Sequence, residues 1–228
     1  MHTTFFKRAI AAALSLTLLG TLSACGDKGL TEQDAEIYVK GHLDAAYLGS
    51  YDKDYIDLVE DMTESDAKEM HEQNVSDEAD ILLTSLTIDE PSDELKQRAV
   101  DFVREVYSHS QYKVGSASKT KDGDFVIEVT VSPIEILPLL TDEAFMDALE
   151  ESGYIEAETE EELAAADIQL GMLLLDQLEE LLPQLSYGKD QVIMLQLKPD
   201  DEGYYMLVDT GMQTLDACII DYSGDYAE

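Results

Sequence analysis

The sequence predicts an α+β fold: a curved four-stranded antiparallel sheet made from two hairpins, with helices packed over one face and a helical insertion between the hairpins. Three observations lead there. Apolar residues recur at helical spacing through the first half of the chain. The period changes to two at residue 111, and the order of helices followed by a hairpin returns after residue 139. Helices and strands come in blocks, not in the strict alternation that builds a parallel sheet.

Thr31-Glu32-Gln33-Asp34 reads as a capping box with Asp in the last place. After it Ala35, Tyr38, Val39, His42, Leu43, Ala46 and Tyr47 share one helical stripe, which Gly49-Ser50 stops. A short helix is expected over 54–61. Thr63-Glu64-Ser65-Asp66 opens a third helix running toward Leu86. Pro91-Ser92 starts a fourth, with the stripe Leu95, Ala99, Phe102, Val103 and Val106.

Residues 111–119 read as a strand, and Asp122-Gly123 is a hairpin signal. Phe125, Ile127, Val129 and Val131 then alternate with more polar residues, as in a half-buried antiparallel strand that ends at Pro133 and Pro138. The insertion spans 139–186. Thr141 caps a short helix that Gly153 ends. Thr159-Glu160-Glu161-Glu162 is a full capping box before helix 163–182, the most apolar of the chain, closed by Pro183 and Gly188. Residues 191–198 and 204–209 form the second hairpin around Pro199-Asp200-Asp201-Glu202-Gly203. Residues 211–220 read as a last helix with Leu215, Cys218 and Ile219 inward, and 223–228 as a flexible tail.

Charge removes several classes of function. The 228 residues carry 14 Lys+Arg against 50 Asp+Glu, a net charge of −36. Phosphate contacts need Lys and Arg, so no nucleic acid is expected as a partner, and the same balance argues against a polybasic membrane contact. Two cysteines exclude a disulfide-rich scaffold.

Residues 1–24 read as an export signal. Lys7 and Arg8 form a basic start, and 9–20 is an uncharged, mostly apolar run too short for the ~20 residues that span a bilayer. Leu22-Ser23-Ala24-Cys25 resembles the lipobox of bacterial lipoproteins at all four positions. That resemblance implies cleavage between Ala24 and Cys25, a diacylglycerol on the Cys25 sulfur, and a lipid-anchored protein on the extracytoplasmic face of the cell membrane. Two acyl chains anchor stably where one does not. Residues 25–30 are then a short tether: the five residues after Cys25 extend at most ~18 Å, which keeps the body near the membrane. Residues 31–222 form a single domain.

The lipobox, the opening helix Asp34-Ala35-Glu36-x-Tyr38-Val39 and a strand pair split from its partner pair by helices are similar to small lipoproteins of Gram-positive bacteria. These have cystatin-like or nuclear-transport-factor-two-like cone folds. Such a cone implies a pocket between helices and sheet. Its candidate lining is Tyr38, His42, Tyr47, Phe102, Tyr107, Phe125, Ile127 and Tyr205, against the plainer expectation that these side chains fill the core. The resemblance implies no catalytic residues.

Motifs for chemistry are missing. His71-Glu72 lacks a second His at Val75, so no zincin motif forms. His109 ends a helix, where a cation suits the dipole. Asp52, Asp54 and Asp57 resemble part of a calcium loop but lack its Gly and distal Glu. There is no Walker loop, no G-x-G-x-x-G and no G-x-S-x-G. No metal and no cofactor is therefore expected. Cys218 reads as a buried small apolar residue.

The sequence thus points to a non-enzymatic lipoprotein that binds an unidentified small molecule or an envelope protein, held to membrane lipid through Cys25. Two other readings differ from it physically. An enzyme of the cone fold, acting on a cell-envelope substrate, needs His42 buried beside a carboxylate. An assembly factor docking through helix 163–182 needs an exposed patch on Leu170, Leu174, Leu178 and Leu181.

Overall fold

A computed structural model describes residues 29–201 and 203–226. The signal, the cleavage site at Ala24 and Cys25, most of the tether and the last two residues lie outside the described residues. In chain order the elements are α1 (Glu32–Leu48), α2 (Lys53–Leu58), α3 (Glu64–Ser85), α4 (Asp93–Ser108), β1 (Gln111–Lys119), β2 (Phe125–Ser132), β3 (Ile134–Glu135), α5 (Asp142–Glu151), α6 (Glu160–Leu181), β4 (Ser186–Tyr187), β5 (Gln191–Pro199), β6 (Tyr205–Leu207) and α7 (Asp209–Ile219).

The helix starts follow from side-chain chemistry. Thr31, Thr63 and Thr159 each accept from the backbone N–H three residues on, and Asp34, Asp66 and Glu162 reach back to close the box. Ser92 and Thr141 cap α4 and α5 by the first half of that exchange. Gly49 ends α1 in the left-handed conformation, at φ 60°, where a side chain would be strained.

β1, β2, β5 and β6 form one open antiparallel sheet in that order. The expected α+β class and four-stranded sheet are present. The hairpins join through β2 and β5, with Ile127 opposite Leu195 and Val129 opposite Ile193. One face carries Phe125, Ile127, Val129, Val131, Ile193, Leu195 and Leu197, all buried, and α1 and α7 pack against it. The other face carries Lys113, Glu128, Thr130, Val192, Met194, Lys198 and Met206, with Thr130 half-buried and the others exposed. The outer edge of β1 is covered: Ala117 N–H donates to Glu36 Oε1 at 2.9 Å and Lys119 N–H to Glu32 Oε1 at 3.0 Å. Two glutamates of α1 thus occupy donors that an exposed edge would offer to another strand.

Four details differ from the sequence reading. Residues after Pro133 continue as β3, which pairs with β4 in a second, two-stranded sheet; a two-residue strand has too little periodicity to stand out. α2 stops at Leu58, not at Asp61, whose φ of 58° is incompatible with a helix. The last helix starts at Asp209, so β6 is shorter than expected. The tail is tied down through Tyr226: Asp221 Oδ1 accepts from the N–H groups of Ser223 and Gly224, its Oδ2 from that of Tyr226, and Lys189 N–H donates to the Tyr226 carbonyl.

Candidate functional site: a buried carboxylate and tyrosine cluster

The eight side chains proposed to line a cone are all buried, seven of them in one continuous hydrophobic core and His42 as a buried polar group. Their ring contacts fall into separate groups. Tyr38 and His42 of α1 stack at 5.9 Å, with Tyr55 of α2 lying 6.1 Å from Tyr38. Tyr47 and Tyr107 meet edge to face at 5.3 Å. Phe125 lies 5.3 Å from Tyr205, whose hydroxyl donates to the Gly123 carbonyl at 3.2 Å, while Ile127 is buried on the inner sheet face and Phe102 within α4.

His42 has no carboxylate hydrogen-bonded to it. Its Nδ1 is 3.5 Å from the Tyr55 hydroxyl, and its Nε2 is buried without a hydrogen-bond partner. Burial lowers its pKa to about 4, so the ring is neutral at pH 7. The dyad that the enzyme reading needs at this residue is not formed.

A different polar cluster joins four helices. Glu78 of α3 is buried and accepts from the Tyr222 hydroxyl at 2.6 Å; Tyr107 of α4 also hydrogen-bonds to it. Tyr47 of α1 donates to Asp216 Oδ1 of α7, and Asp216 Oδ2 is buried with no hydrogen-bond partner. Tyr112 of β1 packs 6.2 Å from Tyr47 and donates to Asp44 Oδ1 at 2.9 Å.

Electrostatics follow from this enclosure. Loss of water raises the Glu78 pKa, against the opposing effect of its two tyrosine hydrogen bonds. Asp216 is pushed up to about 7, by burial first and then by the Glu78 charge, although the Tyr47 hydrogen bond works the other way. Tyr47, Tyr107 and Tyr222 are held well above the ordinary tyrosine value, so they remain donors. Burial and mutual repulsion favour the neutral forms of these two carboxyls. Among the described residues no group of three or more His, Cys, Asp or Glu side chains is placed to hold a metal ion.

Glu78, Asp216 and Tyr222 were not singled out by sequence. A signal did exist for one of them. Met70, Asn74, Glu78 and Leu82 share one stripe beside Val75 and Ala79, so Glu78 is an acid on a mostly apolar stripe.

Helix α6 does not offer the docking patch. Leu170, Leu174 and Leu178 are buried and Leu181 is partly so, because α6 packs against both α4 and α5. Gly171 lets Leu95 approach so closely that a Cβ there would lie 2.6 Å from its Cδ2. Arg98 of α4 holds both Asp176 and Glu179 of α6 at 2.8 Å. His71 Nδ1 bonds the Ala46 carbonyl at 3.0 Å, His109 lies at the α4 end near Glu105, and Lys53 pairs with Asp57. Cys218 is buried, 3.4 Å from the Tyr226 hydroxyl.

The molecule belongs to the α+β proteins with one open antiparallel sheet, helices on one side and a polar cluster sealed in the helical layer. Its fold matches, at a TM-score of 0.53 and 16% identity, the crystal structure of a putative lipoprotein (YcdA) from Bacillus subtilis. The match covers 82% of this chain and 56% of that one, so the chain spans little more than half the length of this neighbour. No family model and no curated protein matches the chain.

Proposed function

We propose that the chain is a membrane-anchored extracytoplasmic lipoprotein, and that its α+β body is a non-enzymatic module binding a ligand or another protein. The carrying observation is Leu22-Ser23-Ala24-Cys25, set so close to the body that Leu30, five residues after Cys25, is already buried in the core. The description of the Bacillus subtilis neighbour supports the same reading. Kinship with the cone folds belongs to this reading too, supported by the open sheet beneath α1.

With the candidate lining side chains buried, we take the binding part of the module to be its surface. The anchor raises the local concentration of that surface for partners at the membrane. The test is metabolic labelling with a clickable palmitate analogue, followed by membrane fractionation. The wild-type chain takes up label and sediments with membranes, and Cys25→Ala does neither. An unlabelled wild-type protein in the soluble fraction overturns the proposal. Native mass spectrometry of the body from residue 26 then separates small-molecule from protein binding: a co-purifying small mass favours the first, a clean apo mass the second.

A further inference from the structure

The open sheet face is electrostatically unlike the rest of the molecule. Residues 136–185 hold fourteen acids and no lysine or arginine. On the open face Lys113 and Lys198 stand against a single acid, Glu128, while Lys119 lies over the ring of the inward-facing Phe125. The open face is also apolar at its centre. Val192 is 60% exposed, Met194 52% and Met206 36%. Register places Val192 beside Thr130, which is itself opposite Lys113, while Met206 lies opposite Lys198. Lys113 and Lys198 thus stand at opposite ends of the apolar patch, with Glu128 opposite Met194 between them.

The start of the body lies at the margin of this sheet. Leu30 is buried, and two residues on, Glu32 holds the N–H of Lys119 at the end of β1. Cys25 is five residues before Leu30, a reach of at most ~18 Å. One strand of nine residues is about 30 Å long, so a lipid anchor at Cys25 leaves the sheet within reach of the bilayer.

We infer that this open face lies on the anionic bilayer surface, as a second contact that orients the anchored body with its acidic helices turned away. The inference rests on the proposed lipid anchor. Anionic headgroups repel the helical layer, and repulsion between close charges is only partly screened at a Debye length of about 8 Å. The sheet is the side on which Lys113 and Lys198 meet lipid phosphates, while Val192, Met194 and Met206 enter the headgroup region. Partners would then meet the acidic helical side.

The chain has no tryptophan, so a single introduced one is a clean reporter. The lipid-modified protein, carrying Met194→Trp or Ile155→Trp, is reconstituted in vesicles of phosphatidylglycerol and phosphatidylcholine with nitroxide labels near the headgroup. Ile155, 61% exposed between α5 and α6, reports the helical side. The expected result is a blue shift and strong quenching at residue 194 and neither at residue 155, with the quenching reduced by Lys113→Glu and Lys198→Glu together. Vesicles that float with the protein while neither reporter is quenched overturn the face contact and leave the anchor standing. A blue shift at residue 194 without quenching, together with a dimer mass, overturns it in favour of a second copy on the face. Protein that does not float with vesicles refutes the anchor and the orientation with it.

Discussion

Replacing Asp216 by Asn removes the charge of the buried cluster while preserving its shape. The wild-type carboxyl has one oxygen on Tyr47 and the other buried without a partner, and its pKa stands at about 7 in place of the ordinary 3.8. The sign follows from linkage. A carboxyl whose folded value lies above its unfolded one stabilises the fold fully below about pH 4, and that contribution is lost as pH rises through about 7. The full displacement corresponds to about 4 kcal/mol. Asp216 is only half-buried as a residue, and partial screening reduces the expected loss to about 2 kcal/mol. Asp216→Asn is therefore expected to exceed the wild type by about 2 kcal/mol at pH 8, by under about 1 kcal/mol at pH 5, and to match it only near pH 4. With a urea slope of about 2 kcal/mol/M, the midpoints differ by about 1 M at pH 8. Urea melts of the body from residue 26, followed by far-ultraviolet circular dichroism, measure this directly. Comparing variant with wild type at each pH cancels the general repulsion of a strongly acidic chain. An equal midpoint difference at pH 5 and pH 8 would refute the desolvated-acid account of the cluster.

Three further outcomes are expected. Leu174→Ala should cost about 2–5 kcal/mol, since the side chain is fully buried in α6; a thermal melt within the few tenths typical of a surface change would restore the docking-helix reading. Gly41→Ala places a Cβ 2.3 Å from Tyr55 Cγ. It should lose about 1–3 kcal/mol by overpacking despite the gain in helix propensity of about 1 kcal/mol, and an unchanged or raised urea midpoint contradicts the close α1–α2 contact. The His42 ring should keep one chemical shift by nuclear magnetic resonance from pH 8 to pH 5.5, because its folded value is about 4. As a histidine held neutral by burial, it contributes stability above about pH 6.5 that is lost as pH falls through about 4. A midpoint near 6.5 means the ring reaches water.

Most of what is encoded within a few residues was legible in the chain itself. Capping boxes at Thr31, Thr63 and Thr159, the stop at Gly49 and the turn at Asp122-Gly123 are contacts between near neighbours, and helical and strand periods repeat locally. That was enough to set the order of the main elements and the α+β class. The tertiary structure alone decided which groups face one another across long separations. Tyr222 and Glu78 are 144 residues apart, and Tyr47 and Asp216 169. Among 50 acids no composition argument marks Glu78 and Asp216 for desolvation. The same holds for helix α6: its apolar circumference demanded burial, but the choice between its own domain and a foreign partner was made by α4 and α5 closing over it. A periodic pattern states that a face must leave water. Only the folded chain supplies the surface that takes water's place.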